Sequence, residues 1–386
     1  MINAENKEEV LNDLVTLRRN LHRFPEVSNQ EFQTADRVIE FVLKTNPSEV
    51  IDKVGGGSVL AIYRCEDPNA KTAVVRCELD ALPIQEINDF SYHSTVDGVS
   101  HKCGHDGHMA MVAGLGKLLK NRPFKSLNVV LLFQQAEETG EGAQAVLNDH
   151  QFIKLKPDFI LALHNIPGYP KHQIVLKPKA FTPSVTSVII TLKGKTSHAA
   201  EPEQGINPAM AVSDILKLAH QLEINEETDD MRLLTPIQVD LGEEAYGVSA
   251  GHAVLRFTLR AWTENNLKAL KNEFSGGIFE IAAKEQLGIK LEWTQSFASN
   301  NNDPELVKEL ERAANELDLA VHYKAYPFKW GEDFGLFTQN YPGALFGLGA
   351  GVDTPALHNP DYDFPDELIK TGVNMFYQTL KQLDNS

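Results

Sequence analysis

The segment His101-Lys102-Cys103-Gly104-His105-Asp106-Gly107-His108 gathers three histidines, a cysteine and an aspartate into eight consecutive positions. Cys103 and His105 stand two apart with Gly104 between them, and Gly107 follows soon after. The glycines oppose a regular helix and let the backbone turn so that a thiolate and an imidazole face one ion. Both groups are good ligands for zinc-like divalent metals. A second centre of chemistry is the adjacent pair Glu137-Glu138, which follows the apolar run 127–133. Two neighbouring carboxylates in a dry setting repel unless a cation or a proton shares the site. One on metal and one free to take a proton from water is a natural division of labour, and residue types alone leave open which is which.

These groups need elements to position them. Short apolar runs of strand type lead into each: residues 72–75 into Asp80, 127–133 into Glu137-Glu138, 159–163 into His164, and 344–348 on toward His358. In an open α/β sheet, functional groups gather at the carboxyl ends of the strands. Helical spacing marks the first forty-odd residues, with Val10, Leu14, Leu17 and Leu21 in one stripe and Phe32, Ala35, Val38 and Val42 in the next. Strands alternating with helices predict an α/β domain with a mainly parallel sheet. From about Pro183 the texture changes to a compact α+β insert, with strands near 185–192, 254–261 and 289–293 and helices near 208–222 and 265–286. The expected organisation is therefore one catalytic metal-binding domain, residues 1–182 and 295–386, interrupted by a smaller one over 183–294.

Composition narrows the function. A chain of 386 residues exceeds one ordinary core. The formal charge of −17 repels phosphate backbones and anionic lipid, so neither nucleic acid nor membrane is expected as a partner. No run approaches the roughly 20 apolar residues of a membrane span. Residues 1–14 are polar and acidic, unlike a secretory signal, which points to the cytoplasm. Three cysteines without such a signal argue against a disulfide framework, and Cys65 and Cys77 read as inert thiols.

Several segments together resemble the aminoacylase/carboxypeptidase-G metallopeptidase superfamily: Arg18-Arg19-Asn20-Leu21-His22, Asp80-Ala81-Leu82-Pro83, Cys103-Gly104-His105-Asp106-Gly107-His108, Gln135-Ala136-Glu137-Glu138, Leu163-His164-Asn165 and His198-Ala199-Ala200. The branch with Cys in the metal loop is nearest, namely hippurate hydrolases, indoleacetyl-amino-acid hydrolases and N-acetyl-diaminopimelate deacetylases. The resemblance implies a zinc-exopeptidase-like catalytic domain carrying an inserted ferredoxin-like lid and dimerisation domain. It implies two divalent ions per subunit (Zn, Mn, Co or Ni) on Cys103, His105, Glu138, His164 and His358. Glu137 would then be the general base, and Asp80 would orient a metal histidine. His198 matches the lid histidine that stabilises the oxyanion, and Arg260 the lid arginine that meets the substrate carboxylate. The implied activity is hydrolysis of N-acyl amino acids (acetyl, benzoyl or aryl-acyl) by a homodimer joined through the lid.

The chain departs from the family pattern at four places. Glu78 stands where Asp is usual, Glu203 where relatives carry a second His, and Asn207 where Asp is common. Gly247-Val248-Ser249 replaces Asn-Val-Ile-Pro, which makes Ser249 and the backbone at Gly247 the candidate substitutes for a substrate-binding Asn. Three other readings use the same residues. A dipeptidase or carboxypeptidase would share the site, a cysteine hydrolase would use Cys103 as nucleophile, and a binding protein would hold metal without turnover.

Overall fold

A computed structural model describes residues 7–224 and 228–384. The chain divides into two compact units. The first comprises the chain up to Phe181, Asn300–Ala325, and everything from Glu332 onward. The second comprises Thr182–Ser299 together with Tyr326–Gly331.

The first unit is built on an eight-stranded sheet in the order Glu49–Val54, Ser58–Tyr63, Leu127–Gln134, Lys71–Glu78, Phe159–Pro167, Gly343–Gly351, Ile174–Leu176, Val321–Tyr323. The four central strands, Leu127–Gln134, Lys71–Glu78, Phe159–Pro167 and Gly343–Gly351, run parallel. Their residues are buried almost without interruption, as expected of strands covered on both faces rather than one. Helices Lys7–Arg23, His105–Asn121, Pro304–Glu316 and Leu368–Asp384 supply Leu14, Leu21, Met109, Leu115, Leu310, Val373 and Phe376 to the core that these strands share. Because the four strands are parallel, their carboxyl ends lie along one edge of the sheet. Asp80, Glu137-Glu138, His164 and His358 all lie at or beyond that edge. Among the described residues, no helix is long and apolar enough to cross a membrane.

The second unit is a four-stranded antiparallel sheet in the order Arg232–Leu241, His252–Ala261, Ser184–Lys193, Gly288–Phe297. With helices Ala209–Leu222 and Glu264–Lys284 it follows the β-α-β-β-α-β sequence of a ferredoxin-like fold. Val188, Ile190, Leu192, Leu255, Phe257 and Leu259 alternate inward to meet Ile215, Leu270 and Phe274 of the helices. The edge strand Arg232–Leu241 is not evident from sequence. Pro236 interrupts it, the register shifts between Pro236 and Gln238, and Ile237, Val239 and Leu241 are exposed. Proline tolerates an edge position where no neighbour needs its missing N–H.

Candidate metal centre and active site

The loop that carries the acidic pair leaves the strand Leu127–Gln134 through a forced turn. Ala136 is buried and left-handed, with φ 51°, an unusual conformation for a residue with a Cβ. Its carbonyl accepts the N–H groups of Glu141 and Gly142 at 3.3 and 3.0 Å. A Cβ at position 142 would lie 1.7 Å from the Gln135 carbonyl oxygen, so the loop closes only on glycine. Glu137 emerges buried, and its Oε1 accepts the Asp333 N–H at 3.3 Å. The Glu138 N–H donates to Asp80 Oδ2 at 3.0 Å, while its own Oε1 is buried with no hydrogen-bond partner. Burial pushes the Glu138 carboxyl up to about 7 despite the nearby charge of His105. Glu137 is raised well above the carboxylate range, by burial and then by the charges of Glu332 and Glu138.

The second loop is set by Gly104, at φ 95°, immediately before the helix His105–Asn121. A side chain there would strike the Asn165 side chain, with Cβ 2.4 Å from Oδ1. His105 Nδ1 lies 2.8 Å from the Asp80 carbonyl, which can only accept. Nδ1 is therefore the donor, and Nε2 faces inward, buried and without a hydrogen-bond partner. It lies 3.9 Å from both Glu137 Oε2 and Glu138 Oε1. Burial disfavours a charge on His105, but the Asp80 side chain and the charge of Glu78 outweigh it and lift the pKa to about 10. His164 is held likewise, with Nδ1 2.9 Å from the Asn165 carbonyl and Nε2 3.5 Å from Cys103 Sγ. Burial, and then the charge of His108, lower its pKa to about 3, so the ring is neutral. His358, at φ 66°, is half-exposed, its N–H is fixed by the Lys102 carbonyl at 2.8 Å, and its Nε2 stands 3.6 Å from Glu138 Oε1.

These placements bring all five expected ligands together. The ligand atoms of Cys103, His105 and His164 fall within 4.8 Å of one another, as do those of Cys103, Glu138 and His358, and the two sets share Cys103. The donors suit a divalent cation. A buried imidazole nitrogen and a buried carboxylate oxygen lack partners, and the thiol is pushed well up by burial and by the charges of Glu138 and Glu137. A cation would relieve each of these at once. Asp80 bridges the two loops, accepting from Glu138 N–H and from Ser28 Oγ at 2.8 Å while its carbonyl orients His105.

Several residues outside the expected site set support these positions. Arg76 is fully buried, pairs with Glu78, lies 3.1 Å from Glu332 and 2.6 Å from Asp333, and so balances the acidic floor beneath Glu137. Glu78 also meets His108 Nδ1 at 2.6 Å through its other oxygen, a reach that accounts for a Glu in place of Asp. His22 is buried between Asp106 at 2.8 Å and Glu86 at 3.0 Å, bracing the metal loop from behind.

The remaining candidates lie in the second unit. Ser197–His198 pairs with Val248–Ser249 in a two-stranded ribbon, and the Ala199 N–H donates to the Gly247 carbonyl at 3.0 Å. His198 is exposed, and its Nδ1 accepts the Ala200 N–H at 3.1 Å, which leaves the ring proton of the neutral form on Nε2. Ser249 Oγ accepts from Asn207 Nδ2 at 3.0 Å, tying together two of the positions that depart from the family pattern. Arg260, on His252–Ala261, is half-buried, and its Nε has no hydrogen-bond partner.

A parallel sheet with a buried thiol, imidazole and carboxylate cluster at its carboxyl edge, next to a further buried glutamate, defines a metal-dependent hydrolase. The chain belongs to the peptidase family M20/M25/M40, whose model matches residues 74–382, and it is an amidohydrolase of that family. It is 29% identical over 367 residues to the N-acetyldiaminopimelate deacetylase of Bacillus subtilis (strain 168), covering 95% of this chain and 97% of the relative. It is 30% identical over 370 residues to the enzyme of that name from Limosilactobacillus reuteri (strain DSM 20016), covering 94% and 96%. Among solved structures it superposes on a dinuclear metal-binding M20 peptidase of Bacillus subtilis with a TM-score of 0.84 at 26% identity, covering 98% of this chain and 99% of the other.

Proposed function

We propose that this amidohydrolase removes the acyl group from N-acyl amino acids, with N-acetylated substrates first among them, using two divalent ions and Glu137 as general base. The observation that carries the reading is the pair of ligand sets sharing Cys103, with a buried carboxylate beside them that neither set needs. The named deacetylase relatives support the acetyl group and the amino-acid leaving group.

Cys103, His105, Glu138, His164 and His358 would hold the ions, which when bound supply a polarised carbonyl and an acidified water. Glu137 takes the proton from the attacking water, whose oxygen bonds to the acyl carbon. The carbon–nitrogen bond then breaks, and Glu137 returns the proton to the leaving amine. His198 Nε2–H donates to the developing oxyanion. Arg260 pairs with the substrate carboxylate, and Ser249 and the backbone at Gly247 meet its polar groups. Zinc, manganese, cobalt and nickel all suit a thiolate, imidazole and carboxylate donor set. We place the protein in the cytoplasm as a homodimer associating through the second unit.

The close approach of Cys103 Sγ to His164 Nε2 invites a nucleophilic-cysteine reading. The raised thiol and the lowered imidazole both disfavour the thiolate–imidazolium pair that chemistry requires. The deciding experiment assays N-acetyl, N-benzoyl and indoleacetyl amino acids, N-acetyl-diaminopimelate and dipeptides with chelator-stripped protein, then after restoring each ion. Metal-restored deacetylation that disappears in Glu137→Ala is expected. Turnover insensitive to chelation but abolished by thiol alkylation would overturn the reading.

A further inference from the structure

The acidic pair does not hold its own conformation. Three buried carboxylates from distant parts of the chain grip backbone N–H groups of its loop. Asp80 Oδ2 accepts from Glu138 at 3.0 Å, Asp333 Oδ2 from Ala143 at 2.9 Å, and Glu31 Oε1 from Ala136 at 2.7 Å. Asp80 and Asp333 already belong to the site, whereas Glu31 lies on a different element and is only 4% exposed.

Glu31 occupies the N-cap position of the helix Phe32–Leu43, where a short polar side chain such as Asp or Ser ordinarily accepts an N–H of the first turn. Here it makes no cap hydrogen bond. Glu26 does that work instead, its Oε2 accepting from Thr34 N at 2.7 Å and from Thr34 Oγ1 at 2.8 Å. The Glu31 carboxylate is thereby free to reach a residue 105 positions away. What it reaches is the left-handed Ala136, the residue directly before Glu137. With the Ala136 carbonyl taken by Glu141 and Gly142, both polar groups of that residue are spoken for, and its unfavourable φ is imposed from outside.

We infer that Glu31 is a positioning residue: by holding the Ala136 N–H it locks the turn that aims Glu137 into the site. The inference rests on Glu137 being the base. An anchored loop needs no reorganisation when the base accepts a proton, and a small misplacement of the acting group is expensive in rate.

The test compares the metal-loaded wild type with Glu31→Ala and Glu31→Gln. Glu31→Ala is expected to lower kcat about 10- to 100-fold with KM within about threefold and both ions retained. Glu31→Gln should recover most of the rate, since a carboxamide oxygen accepts the same N–H. Hydrogen–deuterium exchange supplies a readout independent of turnover. Amides of residues 136–142 should exchange about tenfold faster in Glu31→Ala, while those of Phe159–Pro167 stay protected. Should Glu31→Ala fail to fold, Glu31→Met fills the space without a good acceptor and carries the same expectations. Unchanged loop exchange, unchanged kcat, or a glutamine variant as impaired as alanine would each overturn the inference. If the wild type cleaves no acyl amino acid, the functional reading falls while the exchange comparison still decides whether Glu31 holds the loop.

Discussion

The two units keep most of their candidate residues in contrasting conditions. In the first, Glu137, His105 and Cys103 are buried, and Glu137 and His105 are aimed by hydrogen bonds with fixed partners. In the second, His198 stands exposed on a short ribbon, and Ser249 is held by a single side-chain contact from Asn207. Burial raises the strength of every charge interaction at the metal cluster, and it also makes each unmatched group costly. An exposed donor costs the fold nothing and is available to whatever binds. The difference teaches that preorganisation was invested where charge must be held, and availability where a ligand must be met.

Four changes can break or sharpen this contrast. Replacing Glu137 with Gln should lower kcat by about 10²–10⁴-fold, the usual weight of a general base, with metal content by mass spectrometry unchanged. His198→Ala should cost about 10²–10³-fold in kcat, as for an oxyanion donor, with a melting temperature equal to wild type because the residue is exposed. A variant that melted early would show that His198 belongs to the fold instead. Glu31→Gln should act on stability in a pH-dependent way. Burial lifts the Glu31 carboxyl to about 7, above its ordinary value, so the fold loses stability as pH rises through the interval between them. The glutamine variant should therefore melt about 2–4 °C higher than wild type at pH 8 and together with it near pH 4. At the other extreme, Glu40 and Lys44 form an exposed ion pair at 2.9 Å, and Glu40→Gln should shift the melting temperature by less than about 1 °C.

The candidate ligands were legible because their residue types are rare neighbours. Cys103-Gly104-His105 and Glu137-Glu138 have few uses outside a charged site, and the acidic pair follows an apolar strand. The parallel sheet was legible for the same reason, since fully buried strands read as unbroken apolar runs. Glu31 was not, because an acidic residue ahead of a helix looks like a cap, and only the third dimension shows Glu26 in that role. Arg76 was hidden inside a buried strand, and its ionic partners stand 2 to 257 residues away in sequence. The strand Arg232–Leu241 was masked by Pro236 and by its exposed outer residues. The assignment of Tyr326–Gly331 to the second unit had no local signature at all, because it depends on contacts and not on pattern.

The place of Gly343–Gly351 between Phe159–Pro167 and Ile174–Leu176 has a consequence for how the molecule is made. During synthesis the central sheet waits for this late strand, and at about 5–20 residues per second roughly 10–40 s separate the appearance of His164 from that of His358. The inserted unit, with a core of its own, can fold within that interval. Of the two candidate ligand sets, Cys103, His105 and His164 are all present when this interval begins, whereas Cys103, Glu138 and His358 are together only at its end. The order of strands thus makes the second candidate ligand set complete later than the first.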